Sequence, residues 1–362
     1  MKLRGARRRH RSGALLVLLA PLAVSACTSG TEVSNAAGCD LKYSVGSDSS
    51  DKLSYADLDK VGKIDVDKGT KVAVVLKTLS NQYWSEVKRG AEAAGKIHGV
   101  EVVVQAAKDE ASESEQLTIA QTMVNQDYDA YVIAPVTDVN LAPAIRSISE
   151  KCKPLIDVIE PNVKATTYVG ADEISVGRQA AEFLGKNLPA GAPVLHVEGQ
   201  AGSVAGENRT KGFTEGAKEA GLNLAASGVG NWDQNTAYDV TRQLMQRNPD
   251  AVGIYAANDT MALGSAKAVS GVSGEGVSVV GTDAIPAAID RIRSGAMSAT
   301  NTPFPYYQGC KAVEAALQQL SGNKVPAWLE SAPTLITRDN VDTFFDDQGV
   351  VKDTGSCELP SA

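Results

Sequence analysis

Apolar and polar positions alternate along the chain in a pattern that, from residue 71 onward, predicts strands and helices in turn. Residues 72–76 form a continuous apolar run, Val-Ala-Val-Val-Leu, which is typical of a buried parallel strand. A polar loop at residues 77–81 follows, and apolar residues then recur at helical spacing from Gln82. This order predicts the opening of a βαβ unit, in which ligands bind beyond the carboxyl end of the strand.

The same alternation continues almost to the C-terminus. Further strands are predicted at residues 100–105, 130–134, 155–159, 167–169, 194–197, 252–255, 277–280, 298–301 and 334–337. Helices are predicted from residue 112 and over residues 140–149, 174–188, 205–220, 234–246, 260–269, 285–293 and 306–320. Alternating strands and helices form parallel sheets that are covered by helices on both faces. Two successive sets of units predict an α/β fold of two similar, doubly wound domains, with a ligand cleft between them.

The first 26 residues predict an export signal and not part of the fold. Residues 1–11 are basic, residues 14–24 are apolar, and Ser25 and Ala26 precede Cys27. A charged start, an apolar core and small residues at the end describe a secretory signal peptide. The cysteine is similar to that of a bacterial lipobox, so Cys27 is expected to carry lipid; the alternative is an ordinary signal peptide with a coincidental cysteine. The apolar run is too short for a transmembrane anchor.

Removal of this signal changes what the composition implies. It leaves 336 residues, which exceed one ordinary core and suffice for two domains. It also removes six positive charges and no negative ones, so the formal net charge falls from −8 to −14. This acidic balance argues against nucleic acid as a partner. Residues 27–70 are polar with little periodicity and predict a tether between lipid and domains, partly ordered if Cys39 is bridged.

Four cysteines remain after Cys27, and an even number outside the cytoplasm permits disulfides. Cys39 and Cys357 lie in the two tails, so one bridge could join the termini, and Cys152 and Cys310 would then form the second; the alternative is free buried thiols, and the sequence does not determine the pairing. No spacing of histidines and cysteines resembles a metal site. His98 and His196 are interpreted as surface or core residues, so neither a metal nor a cofactor is expected.

Polar and aromatic residues fall at or shortly after the predicted carboxyl ends of strands, where a ligand would bind. Carboxylates accept hydrogen bonds from vicinal hydroxyls, Lys and Arg donate in fixed geometries, and aromatic rings pack on the C–H faces of a sugar. This mixture predicts a carbohydrate site. The candidate residues are Lys77, Asn81, Tyr83, Trp84, Glu160, Arg209, Trp232, Asn258 and Asp283.

Structural roles for several of these candidates remain open as alternatives. Glu160 or Arg209 would then be a surface residue, and Trp232 would belong to the core. Asp283 would cap the helix that follows it, which is also the role expected of Asp259.

Several motifs make the chain similar to a known family. The motifs Leu-Lys-Thr-Leu-Ser-Asn at 76–81, Ala-Asn-Asp-Thr-Met-Ala-Leu-Gly at 257–264 and Val-Val-Gly-Thr-Asp at 279–283 resemble the periplasmic sugar-binding proteins of ABC importers, of the ribose, galactose and allose type. Gly-Glu-Asn-Arg at 206–209, Asn-Trp-Asp at 231–233 and Gln-Arg-Asn-Pro at 246–249 look most like the D-allose-binding branch. The likeness extends from Lys71 to about Arg338.

This resemblance implies two α/β lobes joined by three crossovers, which close on the ligand by a hinge, as in periplasmic binding proteins of type I. The first lobe would comprise residues 71–172 and 303–328, and the second residues 173–302 and 329–345, with residues 346–362 as a C-terminal tail. Cys152 and Cys310 would share the first lobe, which favours their bridge.

The resemblance also implies a role for each candidate. Lys77 and Asn81 would hydrogen-bond sugar hydroxyls, while Tyr83 and Trp84 pack on one face of the ring and Trp232 covers the other. Polar contacts would come from Glu160, Arg209, Asn258 and Asp283.

Two positions depart from the family pattern. Ile159 stands where the family commonly has aspartate, and the late hinge glutamine falls near residues 302–303, where Asn301 is the candidate replacement. The loss of two polar contacts argues against allose itself and favours a ligand with fewer hydroxyls, a different epimer pattern or an open-chain polyol form.

The function implied by the resemblance is that of a monomeric, lipid-anchored protein on the outer face of the cell membrane. It would bind a monosaccharide or polyol, deliver it to an ABC permease, and catalyse nothing. A sensor of the same fold, signalling to a membrane kinase or chemoreceptor, is the main alternative. An extracellular glycosidase would need Glu160 and Asp283 as paired carboxylates, but no nucleophile motif in the sequence supports this alternative. The export signal and acidic charge argue against a repressor's effector domain.

Overall fold

Two sheets flanked by helices organise the part of the chain that the computed structural model describes, residues 39–46, 50–270, 276–352 and 355–359. All of these residues belong to one compact unit, Val33–Ala362. The predicted signal peptide at residues 1–26 and the predicted lipidation site Cys27 lie outside the described residues. Within the described ranges, no helix is both long enough and apolar enough to cross a membrane.

The first sheet contains, among the described residues, seven parallel strands. In the order of hydrogen-bonded neighbours they are β2 (Lys52–Ser54), β14 (Trp328–Ser331), β8 (Thr167–Ala171), β6 (Leu155–Val158), β5 (Ala130–Ile133), β3 (Lys71–Thr78) and β4 (Glu101–Ala107). Strand β3 is buried at every position after Lys71, as expected where helices cover both faces of a parallel sheet.

The second sheet contains six strands in the described part of the chain. Their order is β10 (Asn223–Val229), β9 (Pro193–Glu198), β11 (Gly253–Ala256), β12 (Ser278–Thr282), β13 (Ala299–Thr302) and β15 (Thr334–Thr337). The first five are parallel, and β15 runs antiparallel to β13. A separate antiparallel pair joins β1 (Ser44–Val45) to β7 (Lys164–Ala165).

Helices connect most of these strands. They are α1 (Gln82–His98), α2 (Glu113–Asn125), α3 (Ala142–Glu150), α4 (Glu173–Asn187), α5 (Val204–Glu219), α6 (Gln234–Arg247), α7 (Asp259–Val269), α8 (Pro286–Ser294), α9 (Pro305–Leu320) and α10 (Val341–Phe344). Asn81 caps the start of α1, and Gly99 ends it in the left-handed conformation with φ 67°. The predicted order of helices is confirmed. Strand β10 was not predicted, because this edge strand has no fully buried position to give it a clear pattern.

The predicted tether is wrong for the residues described within 39–70, which belong to the fold. Strand β2 extends the first sheet beside β14, and the 3-10 helix Tyr55–Val61 buries Tyr55 and Leu58. The Tyr55 hydroxyl donates a 2.5 Å hydrogen bond to the Pro303 carbonyl, which lies 248 residues away in sequence. Leu53, Val61, Ile64 and Val66 pack against the same core but are only partly buried, and their irregular spacing gives the stretch no clear strand or helix periodicity.

The chain passes between the sheets three times in the described residues. The crossings lie between β8 and α4, between β13 and α9, and between β14 and β15. The third falls after Ser331 because Trp328–Ser331 pairs with β8 in the first sheet. The expected boundary at residues 328–329 is therefore too early by three residues.

The expected disulfide pairing is also wrong. Cys39 bonds to Cys152 and Cys310 bonds to Cys357, each pair with a Cα–Cα distance of 5.6 Å. The N-terminal segment runs beside the end of α3, where the Tyr43 hydroxyl donates to the Lys153 carbonyl at 2.6 Å. The C-terminal segment runs instead along α9, so the two tails attach to different helices.

Candidate functional site

The nine candidate residues, predicted from segments far apart in sequence, line the same cavity. The cavity holds about 350 Å³ of empty space, part of it open to solvent. Its walls come from loops that follow strands of both sheets and from the helices α1 and α5. The lining residues are Lys77, Asn81, Tyr83, Trp84, Glu110, Ile159, Glu160, Ser203, Ala205, Arg209, Trp232, Asn258 and Asp283.

One wall is built by the connection from β3 to α1. Asn81 caps the helix, and its Oδ1 accepts a hydrogen bond from the backbone N–H of Tyr83 at 3.0 Å. Capping fixes the first turn, and this turn places Tyr83 and Trp84 edge to face with ring centroids 4.7 Å apart. The Tyr83 hydroxyl donates to Gln308 Oε1 on α9, so the ring and not the hydroxyl is the part of Tyr83 left for a ligand.

A buried ion pair closes the bottom of this wall. Lys77 Nζ lies 2.9 Å from Glu160 Oε1, and both side chains are almost fully withdrawn from solvent. Glu160 Oε1 also accepts from Ser203 Oγ at 3.0 Å, and its Oε2 accepts from the Val204 N–H at 3.1 Å. Ser203 and Val204 begin α5 in the second sheet's half, so Glu160 holds loops of both sheets together.

Glu110 lines the cavity although sequence reasoning missed it. Its Oε1 accepts from Asn81 Nδ2 at 2.8 Å and from Trp84 Nε1 at 3.0 Å. Burial raises the pKa of Glu110, and the charge of Lys77 opposes that rise. Glu110 follows the end of β4 by three residues, so the strand-end rule that selected the other candidates would have found it.

Arg209 brings a cation to the opposite wall from α5. Its Nε donates to Glu173 Oε2 at 2.5 Å and its Nη1 to the Ala257 carbonyl at 2.8 Å. Although burial favours the neutral form, the carboxylates of Glu173 and Asp283 raise the pKa of Arg209 above its usual value. Its buried Nη2 has no hydrogen-bond partner among the described residues. A donor in this state can serve an oxygen atom of a ligand.

Asp283 faces Arg209 from the loop after β12, with Oδ1 3.9 Å from Arg209 Nη1. Burial raises the pKa of Asp283 well above its ordinary value, and the Arg209 charge opposes this. Its backbone has φ 126° and that of Ala284 has φ 57°. Non-glycine residues rarely adopt such angles unless their surroundings enforce them.

The backbone of Asp283 is held by β13, because its N–H donates to the Asn301 carbonyl at 2.7 Å and its carbonyl accepts from Thr302 Oγ1 at 2.9 Å. Asp259 supports the same loop, and its expected role as a helix cap is wrong. Asn258 caps α7, with Oδ1 accepting from the Met261 N–H at 2.9 Å. The fully buried Asp259 accepts instead from Thr300 Oγ1 at 2.7 Å and from the Ile285 N–H at 3.0 Å. Burial raises the pKa of Asp259 to about 7. Asp259 therefore lies behind the cavity wall and fixes the loop that carries Asp283.

Trp232 supplies an aromatic face from the second sheet's half. It has φ 60°, follows Asn231 with φ 54°, and is 9% exposed. A Cβ atom at Gly199 would lie 2.2 Å from its indole ring, and one at Gly206 would lie 3.0 Å from it. Because glycine has no side chain, Gly199 and Gly206 leave room for the indole beside the cavity.

Asn301, the candidate hinge contact, does not line the cavity. It is fully buried on β13, and its Nδ2 donates to Gln179 Oε1 of α4 at 2.8 Å. The prediction failed because Asn301 lies on the strand itself and not in the loop that follows it. Its side chain therefore faces the covering helix α4. Ile159, Ser203 and Ala205 complete the lining residues that were not among the candidates.

Neither His98 nor His196, the two histidines within the described residues, lines the cavity. His196 is buried, stacks on Tyr255 with ring centroids 5.1 Å apart, and shares a 3.0 Å hydrogen bond with the Tyr255 carbonyl. Burial lowers the pKa of His196 to about 4. His98 pairs with Glu314 at 3.1 Å. In the described ranges, no group of three or more His, Cys, Asp or Glu residues could hold a metal ion.

Comparison with known proteins agrees with this arrangement. Residues 72–324 match the family described as "Periplasmic binding protein domain". The chain belongs to the periplasmic binding protein family. This membership confirms the resemblance recognised in the motifs at residues 76–81, 257–264 and 279–283.

Individual relatives of this family cover most of the chain. The D-allose-binding periplasmic protein of Escherichia coli (strain K12) is 36% identical over 74% of this chain and 90% of its own length. The D-ribose/D-allose-binding protein of Pseudomonas aeruginosa is 30% identical over 70% of this chain and 82% of its own. An ABC transporter periplasmic solute-binding protein from Actinobacillus succinogenes 130z, solved with bound D-allose, has a TM-score of 0.70 and 30% identity, covering 75% of this chain and 98% of its own. The α/β periplasmic binding protein fold is thereby confirmed.

Proposed function

We propose that this protein binds a monosaccharide or a polyol in the cavity, outside the cytoplasm, and delivers it to an ABC importer. The observation that carries the proposal is the convergence of aromatic faces and charged hydrogen-bonding groups from both sheets on one cavity. The family membership and the sugars named for the relatives support the same ligand class.

The chemistry of the lining fits a ligand that carries hydroxyl groups on an apolar frame. Trp84 and Trp232 offer apolar faces to C–H groups, and Asn258 and Asp283 offer acceptors and donors to hydroxyls. The unpartnered Nη2 of Arg209 would donate to a ligand oxygen, and a charge-assisted bond of this kind is about twice as strong as a neutral one. A ligand oxygen bound to Nη2 would thereby take the place of the water molecule that this buried donor otherwise needs as a partner.

Capture would proceed by closure of two lobes, with the first lobe extended to residues 39–172 and 303–331 and the second comprising residues 173–302 and 332–345. The contacts of Glu160 with Ser203 and Val204 link the two halves across the cavity. A weaker contact between Thr260 Oγ1 and Asn81 Oδ1, at 3.4 Å, does the same at another point. These contacts would be lost when the lobes open. A ligand that bridges the two walls would therefore shift the equilibrium towards the closed form. Only the closed form would dock on the permease.

Binding would occur without catalysis. In a glycosidase, one carboxylic acid must be free to protonate the leaving group while the second carboxylate attacks or activates water. Glu160 already accepts three hydrogen bonds from Lys77, Ser203 and Val204. This occupancy suits a structural link between loops better than proton transfer to a substrate.

A titration of the full chain, purified in detergent, tests the ligand class. D-allose, D-ribose, D-galactose, xylitol and glycerol would each be added while tryptophan fluorescence is recorded, with calorimetry as a second measure. Trp84 and Trp232 line the cavity, so a bound sugar or polyol should give a saturable change in emission. No saturable response to any member, by either method, would overturn the proposal.

The third tryptophan provides the control. Trp328 lies in β14 and donates from Nε1 to the Gly170 carbonyl at 3.0 Å, outside the cavity lining. A Trp328→Phe variant should keep the ligand-dependent change, whereas Trp232→Phe should lose part of it. Equal losses in both variants would contradict the assignment of the cavity as the binding site.

Anchoring to the membrane through lipid on Cys27 is the final part of the proposal. Cells that express the protein should incorporate labelled palmitate into it, and a Cys27→Ser variant should incorporate none. Uptake of the identified ligand should then fall when the protein is no longer held at the membrane. Equal labelling of both forms would show that Cys27 is not the lipidated residue.

A further inference from the structure

Ile159 is held in the cavity wall in a conformation that its side chain disfavours. It directly follows β6, is 6% exposed, and has φ 84°. Positive φ is a strong outlier for a β-branched residue, because its Cβ crowds the backbone. Such strain persists only where the surroundings over-determine it, and it concentrates at ligand clamps and other functional sites.

The same conformation recurs at other points of the cavity. Eight non-glycine residues have positive φ among those described, and three of them, Ile159, Trp232 and Asp283, line this cavity. Trp232 and Ile159 are apolar and come from opposite halves of the molecule. The surrounding structure therefore holds these three residues at unfavourable backbone angles. In this conformation, Ile159 and Trp232 present apolar surface to the cavity and Asp283 presents a carboxyl group.

The hydrogen-bonding capacity of the neighbouring residue is largely used. A carboxylate offers about four acceptor positions. Glu160 fills three of these by accepting from Lys77 Nζ, Ser203 Oγ and the Val204 N–H. Ala205, which follows Val204 on α5, adds a further apolar group to the lining. A ligand hydroxyl directed at Ile159 would thus meet a methyl surface beside an almost saturated carboxylate.

We propose that Ile159 determines specificity by selecting a ligand with a C–H group, and not a hydroxyl, at the position that faces it. The ligand class is then a deoxy sugar or a polyol with a methyl or methylene group at that point. The inference rests on the proposed function, since it assigns the chemistry of the ligand bound in the same cavity. A fully hydroxylated analogue loses the hydrogen bonds that its hydroxyl makes with water and gains none from Ile159.

Matched pairs of ligands test this selection. Calorimetric titration of the full chain would compare D-galactose with D-fucose, D-allose with 6-deoxy-D-allose, D-ribose with 2-deoxy-D-ribose, and D-glucose with 2-deoxy-D-glucose. An unpaired buried hydroxyl weakens binding about tenfold or more. We therefore expect the deoxy member of at least one pair to bind about tenfold more tightly than its hydroxylated counterpart.

Two variants assign the preference to Ile159. Asn tolerates positive φ, so Ile159→Asn should fold and should offer a partner to a ligand hydroxyl. It should reduce the deoxy preference of the selected pair about tenfold, towards equal affinity or beyond. Ile159→Val keeps an apolar surface and should retain the preference. Ile156→Val, a buried position on β6 that does not line the cavity, is the control and should also retain it.

Each outcome bears on one of the two proposals. A wild-type protein that binds the hydroxylated member of every pair as tightly as the deoxy member overturns the role of Ile159 and leaves the proposed function standing. An unchanged preference in a folded Ile159→Asn variant does the same. Absence of saturable binding to every compound overturns the proposed function and the inference with it. If thermal melts show Ile159→Asn to be unfolded, an Ile159→Thr variant, which keeps the β-branched shape and adds a hydroxyl, replaces it in the comparison.

Discussion

Lys77 and Glu160 form a 2.9 Å ion pair whose side chains are only 5% and 0% exposed. Lys77 lies at the end of β3 and Glu160 follows β6, so the pair joins loops at two strand ends of the first sheet. The same carboxylate accepts from Ser203 and Val204 at the start of α5. One side chain thus neutralises the buried cation and connects the first sheet to the second.

Loss of the Glu160 charge should destabilise the protein strongly. In Glu160→Gln, the buried Lys77 loses the carboxylate that lies 2.9 Å from its Nζ. Removal of one partner from a buried pair costs about 3–5 kcal/mol, because the remaining charge is left uncompensated. We expect the free energy of unfolding, measured by urea titration, to fall by about 3 kcal/mol or more.

An exposed ion pair on α1 provides the matched control. Lys88 and Glu92 are separated by 2.6 Å, with side chains 35% and 39% exposed. Glu92→Gln makes the same chemical change at the surface, where such pairs contribute less than about 1 kcal/mol. Similar losses of stability in the two variants would contradict the special role given to the buried pair.

Asp283 should govern binding more than stability. Asp283→Asn preserves the size of the side chain but replaces one acceptor oxygen by a donor, so a ligand that donates two hydroxyls to the carboxyl group would lose one bond. We expect its dissociation constant to rise about 10- to 100-fold in calorimetry. Asp290→Asn, an exposed change on the neighbouring α8, should leave affinity unaltered. A folded Asp283→Asn protein with normal affinity would remove Asp283 from the site.

Arg209 is a poor choice for the same test. Its guanidinium is bonded to Glu173 at 2.5 Å, and both side chains are almost fully buried. Arg209→Ala would leave the Glu173 carboxylate unpaired, so lost binding could reflect lost structure.

The elements with strong, repeated patterns were accessible from the sequence. The apolar run at residues 72–76 of β3 and the helical spacing after Gln82 predicted a strand followed by a helix, and the order of elements then brought strand-end loops together. For this reason residues as distant as Lys77 and Asp283 were predicted for one site and line one cavity.

What the sequence could not provide depends on where irregular segments run in space. The cysteine pairing follows the paths of the two tails, and a position in sequence does not determine such a path. The positive φ of Ile159 and the rotation of Asn301 towards Gln179 arise from tertiary packing, which no local propensity contains. Glu110, by contrast, was accessible from the sequence, because it follows the end of a strand as other candidates do.

His196 should make stability depend on pH. Its pKa is about 4 in the folded protein, because burial disfavours the charged ring, against about 6.5 when unfolded. The unfolded chain therefore binds more protons between pH 4 and 6.5, and stability falls as pH decreases through this window. The full effect is roughly 3 kcal/mol.

A substitution isolates this contribution from that of the carboxyl groups. Asp259, with a pKa of about 7, acts in the opposite direction over much of the same range, so the wild-type curve alone is not decisive. His196→Gln removes the titrating ring. On going from pH 7 to pH 4.5, the variant should therefore lose less unfolding free energy than the wild type does. Parallel pH curves for the two proteins would exclude His196 as the cause.

The disulfides should tie each tail to its own helix, and peptide mapping without reduction checks this directly. The expected products link Cys39 to Cys152 and Cys310 to Cys357. In Cys357→Ser, the fully buried Cys310 thiol should resist alkylation until the protein unfolds, while the Cys39 linkage persists. Opening a bridge between residues 47 apart should also lower the free energy of unfolding by about 4 kcal/mol in the chain-entropy description. A peptide linking Cys39 to Cys357 would contradict the paths of both tails, because it requires them to meet at one place and not at α3 and α9.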